Sequence, residues 1–231
     1  MTLQTVDILF QLIVFLFAIS IHESAHAWMA NRCGDPTARM LGRITLNPLK
    51  HIDPIGTILL PLIALFAHFP AIGWAKPTPV DPRNFRNQVF DDILTSVAGP
   101  VSNFLVASIA VLLLIILSFV SPLGHQIVRT LPFSYHLGII EMGSDSVLVP
   151  VCLLLYEAMI INVVLGVFNL IPVPPLDGSH VLRHFLSDPI RRVYDAVGIF
   201  GLIALVFLGG GLLGRLIFPV VGIFDSILTR F

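Results

Sequence analysis

The chain has 231 residues, 56% hydrophobic and 12% charged, with mean hydropathy +0.92 and formal net charge −1. A soluble globular domain carries about 25% charged residues, so water is not the main solvent of this chain. The near-zero charge and the lack of a basic tract argue against nucleic acid as a partner. Cys33 and Cys152 are far apart and show no C-x-x-C spacing, which argues against a disulfide framework or a thiolate metal site; both read as small hydrophobes.

Five apolar stretches run roughly over 6–30, 55–72, 93–120, 147–171 and 196–228, where a membrane span needs about 20 residues. The first is preceded by Met-Thr-Leu-Gln-Thr-Val-Asp, with no Lys or Arg, and cleavage after it would sever a motif that it carries. It is therefore read as a retained transmembrane helix and not as a signal peptide. The motif is His22-Glu23-Ser24-Ala25-His26. On a helix, residues four apart share a face, so both imidazoles can meet one Zn²⁺ while Glu23 is aimed at its open side, placed to take a proton from water. H-E-x-x-H also occurs by chance on ordinary helices. At membrane depth, however, a glutamate between two histidines is costly unless paired, ligated or functional.

The segment 31–52 follows with Arg32, Arg39, Arg43 and Lys50, and within it Arg39 to Leu46 has strand-like alternation that suits either an edge strand or a plain loop. The short stretch 55–72 is flanked on its other side by 73–92, with Lys76, Arg83 and Arg86. Arg183, Arg191 and Arg192 lie in 178–194, whereas 121–146 has only Arg129. The positive-inside rule puts the first, second and third of these basic segments in the cytoplasm and 121–146 outside. With both flanks inside, 55–72 must dip and return, which Pro54, Gly56 and Pro61 suit; an ordinary crossing is the alternative.

The fourth stretch carries Glu157 and Asn162, read as lining a polar interior, with pairing across helices or a neutral state as the alternative for Glu157, and ends in Asn169-Leu170-Ile171-Pro172-Val173-Pro174-Pro175-Leu176-Asp177-Gly178. Three prolines cannot continue a helix, so this stretch should unwind and free backbone groups that hydrocarbon does not satisfy. Tetrahedral zinc needs a third protein ligand, and Asp177 is the best candidate; a simple turn at a membrane surface is the competing use of the same residues. For Asp177 to reach the histidines, the first and fourth stretches must run parallel, which requires an even number of reversals between them. In 196–228, Gly209-Gly210-Gly211, Pro219 and Arg215 suggest a span followed by a shorter re-entrant or interfacial helix. His51, His68, His125, His136 and His184 lie outside any ligand spacing and are read as interfacial or structural. The fold class is thus an all-α polytopic membrane protein of about four to six apolar segments with a broken helix at the aspartate motif. With no internal repeat or soluble module, residues 1–231 read as a single membrane-embedded domain.

H-E-S-A-H on an early helix, Ala98-Gly99-Pro100-Val101-Ser102-Asn103 in the third stretch and Asn169 through Gly178 in the fourth, in that order, resemble the site-2 protease family of intramembrane zinc metalloproteases. Gly42 to Pro48 and Gly73 to Val80 are similar to its compact branch, which lacks a PDZ module. The resemblance implies a zinc metalloendopeptidase that cleaves single-pass membrane proteins in or beside their transmembrane segments. It implies one Zn²⁺ per chain on His22, His26 and Asp177, with Glu23 as base. Asn103 and Asn169 are implied as donors to substrate backbone or oxyanion, an alternative to interhelical hydrogen bonding. It also implies a multi-pass protein of a prokaryotic plasma membrane with its site toward the cytoplasm; lipid is one partner, and a second copy of the chain is a further candidate. The chain departs from the family where Gly178-Ser179-His180 replaces a second glycine and a basic residue, making His180 a competing ligand. The extra stretch 55–72 means that the family's usual helix count does not carry over. Two other classes are a zinc transporter, which would favour repeated, symmetric broken helices not seen here, and a non-proteolytic chaperone, which would not need an intact motif.

Overall fold

The computed structural model describes residues 3–59, 75–137 and 146–231. The helices are α1 (Leu3–Cys33), α2 (Thr37–Met40), α3 (Gln88–Val120), α4 (Pro122–His136), α5 (Leu148–Asn169), α6 (Asp177–Arg183), α7 (Asp188–Leu208) and α8 (Gly210–Leu228), and the described residues contain no strand. Among the described residues, four segments are long and apolar enough to cross a membrane: Leu9–Cys33, Gln88–Val120, Leu148–Asn169 and Gly211–Leu228. The protein is a multi-pass membrane protein.

Helix starts follow local chemistry. Asn87 caps α3 by accepting from Phe90 N–H at 3.2 Å, while Asp91 accepts from Asn87 N–H at 2.8 Å, a reciprocal arrangement that satisfies donors left open at a helix N-terminus. Ser121 ends α3 and caps α4, with Pro122 in the first turn, where a missing N–H costs nothing.

Contacts between α1, α3 and α5 fix their directions. His26 meets Thr95, His22 meets Asn103, and Asn103 also reaches Ala18, so α1 and α3 are antiparallel. Gln11 meets Glu157 near one end and His22 meets Asp177 near the other, so α1 and α5 run the same way, as the parity argument requires.

The buried face of α1 is a stripe at four-residue spacing: Val14, Ala18, His22, His26 and Ala30. On α3 the matching stripe is Asp91, Thr95, Gly99, Asn103, Ala107 and Val111. Rows spaced by four are the ridges that interlock in helix packing, and the alanines and glycine let the backbones come close, as membrane helix pairs require. Along α3 the stripe changes from polar to apolar. Its later part, Ala107 to Leu114, joins Val128 and Leu131 of α4, Tyr156, Met159 and Val163 of α5, and Val221 and Leu228 of α8 in the dry core. The polar end is where the histidines lie.

Two expectations change. Arg39 to Leu46 is a helical turn followed by bends, because Gly42 turns the chain at φ 66° and Ser24 Oγ bonds the Thr45 carbonyl. The order within 196–228 is reversed: Gly198 (φ 48°, ψ −137°) breaks α7, leaving about ten residues after it, roughly half a span. The crossing-length helix is therefore Gly211–Leu228. The stretch 121–146 contains α4, whose inner face packs into the core. Whether 55–72 dips and returns falls on residues 60–74, outside those described. Its flanks do meet, since Lys76 N–H donates to His51 O at 2.8 Å.

Candidate metal centre

His22 and His26 project from one face of α1, their rings 4.6 Å apart and nearly perpendicular at 84°. Their Nε2 atoms are 3.1 Å apart, and Asp177 Oδ2 lies 3.1 Å from the first and 3.3 Å from the second. Asp177 arrives because α5 ends at Asn169 and the proline-rich turn to Leu176 lets α6 restart at Asp177 itself. Gly178 is needed there, since a Cβ would strike the Leu170 carbonyl and come within 2.8 Å of Ile171 O.

The far side of each ring decides its protonation. His22 Nδ1 is 2.6 Å from Asn103 Oδ1, and His26 Nδ1 is 2.7 Å from the Thr95 carbonyl oxygen. Both partners only accept, so each Nδ1 carries the hydrogen and each Nε2 of a neutral ring presents a lone pair. Two lone pairs and a carboxylate oxygen thus converge without a donor, and Asp177 Oδ2 makes no hydrogen bond. Such a set is stable around a cation. These ligand atoms all lie within 4.8 Å of one another, and the group is the one of its kind among the described residues. Two imidazoles and a carboxylate, with both rings oriented by hydrogen bonds behind them, suit Zn²⁺.

Pro100 removes a helical donor and loosens the preceding turn, where the Thr95 carbonyl accepts from His26 in addition to its place in α3. Gly99 is the contact point of α3 with the site. A Cβ there would fall 2.6 Å and 2.7 Å from His22 Cε1 and Nε2 and would also strike His26.

Glu23 lies on the adjacent face, its Oε2 accepting from Thr78 N–H at 2.9 Å and from Thr78 Oγ1 at 2.7 Å. Asn103 is fully buried behind His22, and its Nδ2 donates to Asn162 Oδ1 at 2.8 Å; this is the interhelical use of the side chain. Asn169 turns its amide back onto its own helix, donating to Leu165 O at 3.0 Å. His180 is exposed and stands outside the three-residue group. His184 pairs with Asp92 at 2.7 Å and His136 with Asp225 at 3.0 Å. His51 Nε2 is bonded to Thr45 O, and His125 to Ser118; His68 is outside the described residues. Sequence reasoning marked Asn162 only as polar lining and missed Thr78 and the Thr95 carbonyl. A backbone acceptor has no residue-type signature, and the contact of Thr78 with Glu23 spans 55 positions.

The family model for peptidase family M50 matches residues 10–209. The chain is 34% identical over 196 residues to "Putative zinc metalloprotease YwhC" of Bacillus subtilis, covering 85% of this chain and 78% of that one. It is 27% identical over 208 residues to "Putative zinc metalloprotease Rip2" of Mycolicibacterium smegmatis, covering 90% and 69%. No solved structure matches it significantly. The family is zinc-dependent, and the donor set described above fits that ion, so the cofactor is Zn²⁺. By its motifs, its fold and the match over most of its length, the chain belongs to peptidase family M50, the site-2 protease family of metalloproteases.

Proposed function

We propose that the protein is an intramembrane-cleaving zinc metalloendopeptidase, acting on peptide bonds within or next to the transmembrane segments of single-pass membrane proteins. One observation carries this reading: three acceptor atoms converge, those of His22 and His26 buried inside the Leu9–Cys33 span and the buried Oδ2 of Asp177 delivered by the turn that follows the Leu148–Asn169 span. A soluble peptide would not reach chemistry at that depth; a membrane helix entering sideways would.

His22, His26 and Asp177 would hold Zn²⁺, which would supply Lewis acidity toward the scissile carbonyl and lower the pKa of the attacking water to around 7. Glu23 takes the proton from that water and hands it to the leaving amine. Asn103 and Thr95 hold the imidazoles in the tautomer that leaves Nε2 free. Intact helical amides are shielded by their own hydrogen bonds, so the substrate must unwind before it presents its carbonyl. Residues 1–231 act as one membrane-embedded unit, in the plasma membrane of a prokaryote. The site opens toward the cytoplasm, on the side of Arg32, Arg83 and Arg86, where the end of α1 meets the start of α3.

The test uses protein purified in detergent, with zinc measured by elemental analysis and cleavage of a panel of single-helix substrates scored by mass spectrometry. Wild type should hold about one zinc and cut. Glu23→Gln should keep the metal and lose cleavage, and Asp177→Ala should lose the metal. Full cleavage by Glu23→Gln would overturn the assignment.

A further inference from the structure

The segment Ala75 to Asp81 has no regular secondary structure and meets α1 at Glu23. Its sequence is Lys76-Pro77-Thr78-Pro79-Val80. Proline has no N–H and locks its own backbone while pushing its predecessor toward extended geometry, so Thr78 supplies the one main-chain donor in 77–79. That donor and the Thr78 hydroxyl both go to Glu23 Oε2, at 2.9 Å and 2.7 Å. The hydroxyl also lies 3.0 Å from the Glu23 carbonyl oxygen, so its single hydrogen has a second acceptor on the same residue. Among the described residues no hydrogen bond goes to Glu23 Oε1.

Both ends of the segment are tied down. Arg43 is 6% exposed and donates to Lys50 O at 2.5 Å, Lys76 O at 3.4 Å and Pro77 O at 3.2 Å. Lys76 N–H is held by His51 O. Beyond Thr78, Val80 packs against Ala30, Cys33 and Phe85, and Asp81 N–H donates to Asp35 Oδ2 at 2.7 Å. On the helix side, Ser24 Oγ bonds the Thr45 carbonyl and accepts from Thr45 N–H at 3.2 Å. Glu23 and Ser24 are thus each fastened to a different loop, and Arg43 clamps those loops together.

We propose that Thr78 is a positioning residue for Glu23, holding Oε2 so that Oε1 is the oxygen presented to water, with Arg43 fixing the segment that delivers it. A base held in one orientation keeps the geometry that proton transfer requires; a freely turning one loses it for much of the time. The proposal rests on the reading of Glu23 as the base.

Thr78→Val keeps the shape and the N–H but removes the hydroxyl. It should lower kcat on the order of tenfold, with KM and zinc content unchanged, and Thr78→Ser should restore kcat. Independently of turnover, hydrogen exchange of the Thr78 amide should be slow in wild type and accelerate in Glu23→Ala. Wild-type kcat in Thr78→Val, no recovery in Thr78→Ser, loss of zinc, or exchange that ignores Glu23 would each overturn the proposal. If cleavage depends on Glu23 but is indifferent to Thr78→Val, the proposal alone fails. If Glu23→Gln cuts like wild type, the protease reading fails and takes the proposal with it.

Discussion

At the residue scale the site is made by what stands behind the imidazoles as much as by the imidazoles. Gly99 has no side chain because both rings occupy the space where one would begin. Gly99→Ala should therefore leave helix content by circular dichroism unchanged while zinc falls well below one per chain; full zinc occupancy would show that the rings can yield. Asn103→Leu removes the acceptor from His22 Nδ1 and should weaken zinc binding by about 10- to 100-fold in chelator competition. Asn103→Asp, which keeps an acceptor at that atom, should recover most of the loss. H-E-x-x-H itself was legible because both histidines lie on one element at a spacing that the helix imposes. Asn103 stood out as polar in an apolar stretch, yet its use as support for His22 depends on a contact across 81 positions.

At the element scale, the breaks matter more than the helices. The prolines of 172–175 announce that α5 must end, and the structure uses the break to restart α6 at Asp177. Loop anchors gave no such notice. Asp35, fully buried just after α1, accepts from Thr37 N–H and Oγ1, Asp81 N–H and Asn84 Nδ2. Burial pushes its carboxyl upward, but these donors outweigh it and hold the group below its ordinary value of 3.8. A depressed folded value means that the stabilisation is complete above about pH 4 and is lost as pH falls through the lower folded value. Asp35→Asn should cost about 1 to 3 kcal/mol near neutral pH. Thermal unfolding at pH 7 and pH 3 checks this: the gap between wild type and variant should narrow in acid.

At the scale of the whole molecule, the antiparallel fit of α1 and α3 and the parallel run of α1 and α5 put the end of α1, the start of α3 and the aspartate motif at one end of the bundle. With Cys33 and Cys152 buried, labelling of introduced cysteines can read the orientation. Arg83→Cys and Arg192→Cys should react with an impermeant thiol reagent from the cytoplasmic side, and Gln126→Cys from the opposite side. Reaction of Arg83→Cys and Gln126→Cys from the same side would refute the topology. The charge bias supplies an expectation of sidedness, since it is a sum over loops and needs no contact map. The terminal region was misread for the opposite reason: hydropathy averages over a window and does not register a single residue such as Gly198 breaking the helix.

The sequence by itself determined the solvent, the all-helical class, the two histidines with their glutamate, and the place where the fourth stretch unwinds. Each follows from composition or from neighbours three to four residues apart, where chain geometry leaves little choice. Only the tertiary structure decided that Asp177 reaches both histidines, that Asn103 and Thr95 orient them, and that Thr78 holds Glu23. Those contacts join residues 55 to 81 and more positions apart, and they exist only once small residues on α1 and α3 let the helices close on one another.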